Sequence, residues 1–258
     1  YDGKIVERNA AGEEVRPLDI SITKNVLGLF INSAVLLVIM MSCVRWYKKH
    51  PLEDGAPKGG VGMIEATVLS IYNDVIKGCI GENYRRYAPY LLTAFFFILV
   101  NNLMGLIPIF PGGANVTGNI AITLVLALCT FIMTNVYGTK AYWKEIFWPD
   151  VPTWLKVPIP MMPLIEFFGI FTKPFALMIR LFANIMAGHA AVLSLIAIIF
   201  ITVKSGPVIN GSMTVVSVAF DIFMNALEIL VAFIQAYVFT MLSAVFIGLS
   251  QVKEHAEK

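Results

Sequence analysis

Two apolar stretches, about Met161 to Val203 and about Met213 to Ser250, are each too long to cross a membrane upright. At 1.5 Å per residue, a helix of roughly 40 residues extends about 60 Å, twice the ~30 Å hydrocarbon layer. Either each stretch is broken into two spans, or each is one helix tilted by roughly 60° from the membrane normal. Two ordinary spans need a polar turn between them. Neither stretch has a Gly or Pro cluster where that turn would fall, although Pro174 can kink the first. The sequence therefore predicts a long, steeply inclined helical hairpin, closed by Lys204-Ser205-Gly206-Pro207 to Gly211. Helices so inclined are tolerated where another protein covers them, so the hairpin implies a partner.

The rest of the chain fits the same class. Apolar residues make up 58% and charged residues 14% of the 258, far from a soluble domain, and define an all-α polytopic membrane protein. Upright spans are predicted at about 27–44, 90–107 and 120–137. Between the first two, Ile64, Val68, Ile71 and Val75 recur at helical spacing, with Glu65, Asn73, Asp74 and Lys77 largely off that stripe. This predicts an interfacial amphipathic helix over about 63–86. Residues 1–25 read as a polar external tail, and 26–258 as one membrane-embedded domain. With the N-terminus outside, the inner segments hold Arg45, Lys48, Lys49, Lys58, Lys77, Arg85, Arg86, Lys140, Lys144, Lys156, Lys253 and Lys258, which places the C-terminus in the cytoplasm. Trp46, Trp143, Trp148 and Trp154 fall near that same face, as interfacial anchors do. Asn115-Val116-Thr117 is formally a glycosylation acceptor, in a loop too short and too close to the membrane for that use.

Within the hairpin the ionisable residues carry the chemistry. A charge at bilayer depth costs about 2.5 to 3.5 kcal/mol on insertion scales, so it is rarely kept without a partner or a task. Arg180 cannot shed its proton, which leaves a fixed positive charge there. On an ideal helix Glu166, Lys173, Arg180 and Asn184 share one stripe, and Asp221, Asn225, Glu228 and Gln235 share another on the final helix. An antiparallel register that sets Arg180 level with Gln235 also sets His189 nearly level with Glu228. His189 lies nine positions from Arg180, half a turn round the helix, so the two face different neighbours. His189 and Glu228 are titratable types able to relay protons. Simpler readings stand beside these: Asn and Gln as interhelical glue, Glu166 and Lys173 snorkelling or pairing with each other, and Asp221 close to water at the outer turn.

Other functions find less support. Cys43, Cys79 and Cys129 have no metal-ligand spacing, and the dispersed basic residues do not form a nucleic-acid footprint. No P-loop motif is present, so no nucleotide-hydrolysing site is expected in this chain. An intramembrane hydrolase would need a nucleophile with its base, and His189 with Ser194 lacks an accompanying oxyanion motif. The alternative is a self-contained ion transporter or channel with a midmembrane charged site, which internal repeats or broken helices would mark.

The run Arg180-Leu-Phe-Ala-Asn-Ile-Met-Ala-Gly-His189 closely resembles the signature of subunit a of F-type ATP synthases, and Asn102-Leu-Met-Gly-Leu-Ile-Pro108 resembles that family's earlier helix motif. The resemblance covers about Leu27 to Ser250. It implies that Arg180 is the stator arginine facing the c-ring and Gln235 its polar neighbour, while Asn184, His189 and Glu228 line the proton path. Some family members carry an acid at the first and a histidine at the second of the positions held here by His189 and Glu228. The implied function is rotary coupling of proton flow to ATP synthesis, through two half-channels that serve the c-ring carboxylates. The implied partners are the c-ring, peripheral stalk subunit b, the lipid bilayer and protons, with sodium left open; no cofactor or metal is implied. A bacterial inner membrane is expected and a mitochondrial inner membrane is the alternative, since the long tail and a removable leading segment ahead of Tyr1 suit export of the N-terminus.

Overall fold

A computed structural model of the chain describes residues 7–8, 14–15, 23–50, 57–107, 113, 116–147 and 161–251. Most of the expected tail, with Asn115, Trp148, Trp154, Lys156, Lys253 and Lys258, lies outside the described residues. Within the tail segment, β1 (Glu7–Arg8) pairs antiparallel with β2 (Glu14–Val15). Everything longer is helical.

Helix α1 (Lys24–Lys49) begins where the Thr23 side chain accepts from the Val26 N–H, and ends with Lys48 and Lys49 against the negative end of the helix dipole. Helix α2 (Gly60–Ser70) continues through a π-helical turn, Ile71–Lys77, and one further turn, Gly78–Ile80. Gly81, at φ 74, then admits a tight turn into α3 (Tyr84–Leu106), which starts ahead of the predicted span at 90 and carries Pro89 near its N-terminal end. Helix α4 (Ile120–Val136) is capped by Asn119, whose side chain accepts from the Ala121 N–H at 3.0 Å. Helix α5 (Lys140–Phe147) turns away from α4 by 97°.

The two long apolar stretches each fold as one helix, α6 (Met161–Thr202) of 42 residues and α7 (Pro207–Ser250) of 44. Pro174 does not end α6. The second arm starts at Pro207, six positions before hydropathy alone places it. Gly206 supplies a positive φ of 103 for the reversal, and Pro207 is preorganised for a first helical position. Asn210, assigned to the turn by its polarity, is instead helical, and its Oδ1 accepts from Thr202 Oγ1 at 3.0 Å across the hairpin.

Helix α3 occupies the centre, between α1, α7 and the 71–80 segment, while α6 packs along α7 and against α4. The core they share includes Ile76, Leu91, Phe95, Leu177, Leu181 and Phe239. The stripe Ile64, Val68, Ile71 and Val75 is turned onto this core. Buried polar pairs tie the helices: Asn32 Nδ2 donates to Asn101 Oδ1 at 2.9 Å between α1 and α3, and Thr130 Oγ1 lies 2.8 Å from Tyr90 OH and 3.2 Å from Ser243 Oγ. Such bonds contribute about 0.6 kcal/mol each in membrane proteins, enough to fix rotation about the helix axes.

The end of α7 is clasped by its neighbours. The Thr139 N–H donates to Ser250 O at 2.9 Å, and Gln251 Nε2 donates to Tyr137 O at 2.7 Å. Gly248 lies against the Cys79 carbonyl, with no room for a Cβ.

Candidate functional site

The middle of α6 divides its polar residues between two faces. Arg180 is exposed on the outside of the bundle, and among the described residues no hydrogen bond or ion pair reaches it. Asn184, one turn on, points inward and donates from Nδ2 to Gln235 Oε1 on α7 at 3.2 Å. Gln235, which the sequence sets level with Arg180, therefore pairs with the next turn of α6. Gln235 is 4% exposed, and its Nε2 is buried without a partner among the described residues.

Those two amides form one end of a cavity of about 260 Å³ bounded by α3, α6 and α7. His189 and Glu228 line it as well, with Asn102 and Gly105 from α3 and an apolar wall of Ile185, Met224, Leu227 and Val231. His189 is half a turn round α6 from Arg180, so the helix presents a fixed cation outward and a titratable base inward. Glu228 lies against Gly188, where a Cβ would run into its Oε1. A glycine before His189 thus makes room for the carboxylate beside the imidazole. Polar groups on three walls and space for several waters suit a hydrated path.

The remaining sequence-predicted residues lie nearer the helix ends. Glu166 and Lys173 form an ion pair at 3.7 Å, with side chains 40% and 28% exposed, and the Lys173 ammonium is 6.0 Å from the Phe246 ring centroid. The two therefore pair with each other, one of the simpler arrangements their spacing allows. Asp221 is half-buried two turns before Glu228, its Oδ1 unpartnered among the described residues, and its backbone carbonyl accepts from Asn225 Nδ2 at 2.8 Å.

Asn102, within the run Asn102-Leu-Met-Gly-Leu-Ile-Pro108, stands in the cavity wall, a place its sequence context does not assign. Its Nδ2 donates to the Ala232 carbonyl at 3.3 Å and its Oδ1 accepts from Thr117 Oγ1 at 2.7 Å. The available signal was a polar pair, Asn101-Asn102, inside an otherwise apolar span; which of the two faces α1 and which α7 depends on packing.

The fold is that of an all-α polytopic membrane protein, with a fixed cation outside one helix and ionisable groups in a cavity behind it. The family model described as ATP synthase A chain matches residues 27–248. The chain is 45% identical over 268 residues to ATP synthase subunit a of Chlorobium phaeobacteroides strain DSM 266, covering 99% of this chain and 75% of that one. Against ATP synthase subunit a of Chloroherpeton thalassium the identity is 45%, over 93% of this chain and 70% of the other. Against that of Myxococcus xanthus it is 39%, over 92% and 75%. The chain belongs to the ATP synthase A chain family, whose members are subunits of a larger enzyme.

Proposed function

We propose that this chain is the membrane stator of a rotary F-type ATP synthase and passes protons to and from a ring of c subunits through two half-channels. One observation carries the reading: Arg180 stands outside α6 with no hydrogen bond or ion pair among the described residues, while His189, Glu228, Asn184 and Gln235 line a cavity on the other side. A guanidinium in that position holds an arriving c-ring carboxylate in its charged form and separates the two half-channels. The cavity supplies the outer half-channel, with Asp221 towards its mouth and His189 with Glu228 as the relay. Glu166 and Lys173 lie at the inner exit. Each charge crossing 100 mV supplies about 2.3 kcal/mol, so a leak that bypassed Arg180 would dissipate the drive for synthesis.

The same reading places the N-terminus outside, the C-terminus in the cytoplasm of a bacterial cell, α6 and α7 strongly inclined, and the 60–80 segment near the inner interface beside subunit b. The choice of proton or sodium rests with the carboxylate site of the c subunit. The test is Arg180→Ala in the intact complex, with assembly measured by co-purification of the c subunit. ATP-driven pumping is expected to be abolished with assembly retained, and Arg180→Lys to be severely impaired because it lacks the planar fork. Normal coupled pumping in an assembled Arg180→Ala complex refutes the reading.

A further inference from the structure

The loop that leads into α4 carries a buried hydroxyl with no role in the pathway so far. Thr117 and its neighbour Val116 are both 0% exposed, and Thr117 Oγ1 donates to Asn102 Oδ1 at 2.7 Å. Asn102 Nδ2 in turn donates to the Ala232 carbonyl at 3.3 Å. Chemistry sets the direction of this relay. A backbone carbonyl only accepts, so Asn102 turns its amino group to Ala232 and its oxygen to the loop, where Thr117 must be the donor.

We propose that Thr117 is a positioning residue for ion conduction: its hydroxyl holds the Asn102 amide in the orientation that offers a second N–H to the cavity between α3, α6 and α7. This rests on the reading of that cavity as the proton path. The described backbone on either side of the hydroxyl has bonds of its own: the Gly113 N–H donates to Met104 O and the Asn119 N–H to Val116 O, each at 3.2 Å. Without the hydroxyl, Asn102 Oδ1 is buried without a donor, and the 3.3 Å bond to the Ala232 carbonyl alone is left to hold the amide. The threonine of the formal Asn115-Val116-Thr117 acceptor pattern thus has a use inside the protein.

The test is passive proton conduction per assembled complex, in membranes carrying the intact synthase from which the catalytic head has been stripped. The variants are Thr117→Val, which keeps the shape, Thr117→Ser, which keeps the hydroxyl, Asn102→Ala, and the double Thr117→Val with Asn102→Ala; Glu228→Gln is the reference. Thr117→Val is expected to lower conduction about threefold or more, Thr117→Ser to restore it, and Thr117→Val to add nothing in the Asn102→Ala background. If Val at 117 prevents assembly, Thr117→Ala takes its place in the same cycle. Unchanged conduction in the hydroxyl-free variant, failure of Ser to restore it, or losses that multiply in the double, each in a preparation where Glu228→Gln does reduce conduction, overturn the proposal. Unchanged conduction in Glu228→Gln itself removes the pathway and the proposal with it.

Discussion

At the scale of single residues, the cavity depends on what is missing at position 188 as much as on what is present beside it. A methyl there meets the Glu228 carboxylate, the far end of a flexible side chain, so Gly188→Ala is expected to displace that carboxylate and leave the fold intact. Proton pumping per assembled complex should fall, with unchanged yield and thermal stability; lost assembly instead would make Gly188 a packing residue. His189 and Glu228 share the cavity without a hydrogen bond between them among the described residues. If they act as one relay, exchanging them, with His189→Glu and Glu228→His together, should recover more pumping than either single change; additive losses with no recovery separate their roles. These residues were legible in the sequence because buried charges are rare and helical spacing assigns faces. Asn184 pairing with Gln235 was not, since the axial offset between two packed helices is fixed by side-chain volumes along the whole contact.

At the scale of elements, length was the readable quantity. Two apolar runs near 40 residues with no polar break become α6 and α7, because nothing in them offers the backbone an alternative to the helix. Their junction was less legible: Gly206 and Pro207 override the polarity of Asn210 and Ser212, so backbone geometry decided the start of α7. The π-helical turn at Ile71–Lys77 had no local signature either. The close approach of α7 to the 78–80 turn at Gly248 is a contact with backbone, which cannot step aside. Gly248→Ala is therefore expected to destabilise the subunit by about 1–3 kcal/mol, the range for overpacking. A lower thermal inactivation temperature of the purified complex checks this, and an unchanged temperature shows that the helix end shifts freely.

At the scale of the whole molecule, the described residues leave much of α6 and α7 apolar and exposed, including Phe168, Phe175, Phe200, Ile222 and Leu230, with Arg180 on that exterior. Lipid covers apolar side chains readily and an unpaired guanidinium poorly, so the surface around position 180 calls for a protein that brings negative charge. Hydropathy calls for a partner on this surface, and the resemblance of the Arg180 to His189 run makes a c-ring the one proposed. The proposed function has Arg180 facing the carboxylates of a rotating c-ring. It is tested most directly by determining the structure of the assembled complex in a lipid bilayer and reading what stands opposite that guanidinium. A separate ring of helices with its carboxylates passing at the depth of Arg180, beside a strongly inclined α6 and α7, is the expected result; lipid opposite Arg180, or an upright α6 and α7 sealed by the chain's own helices, contradicts it.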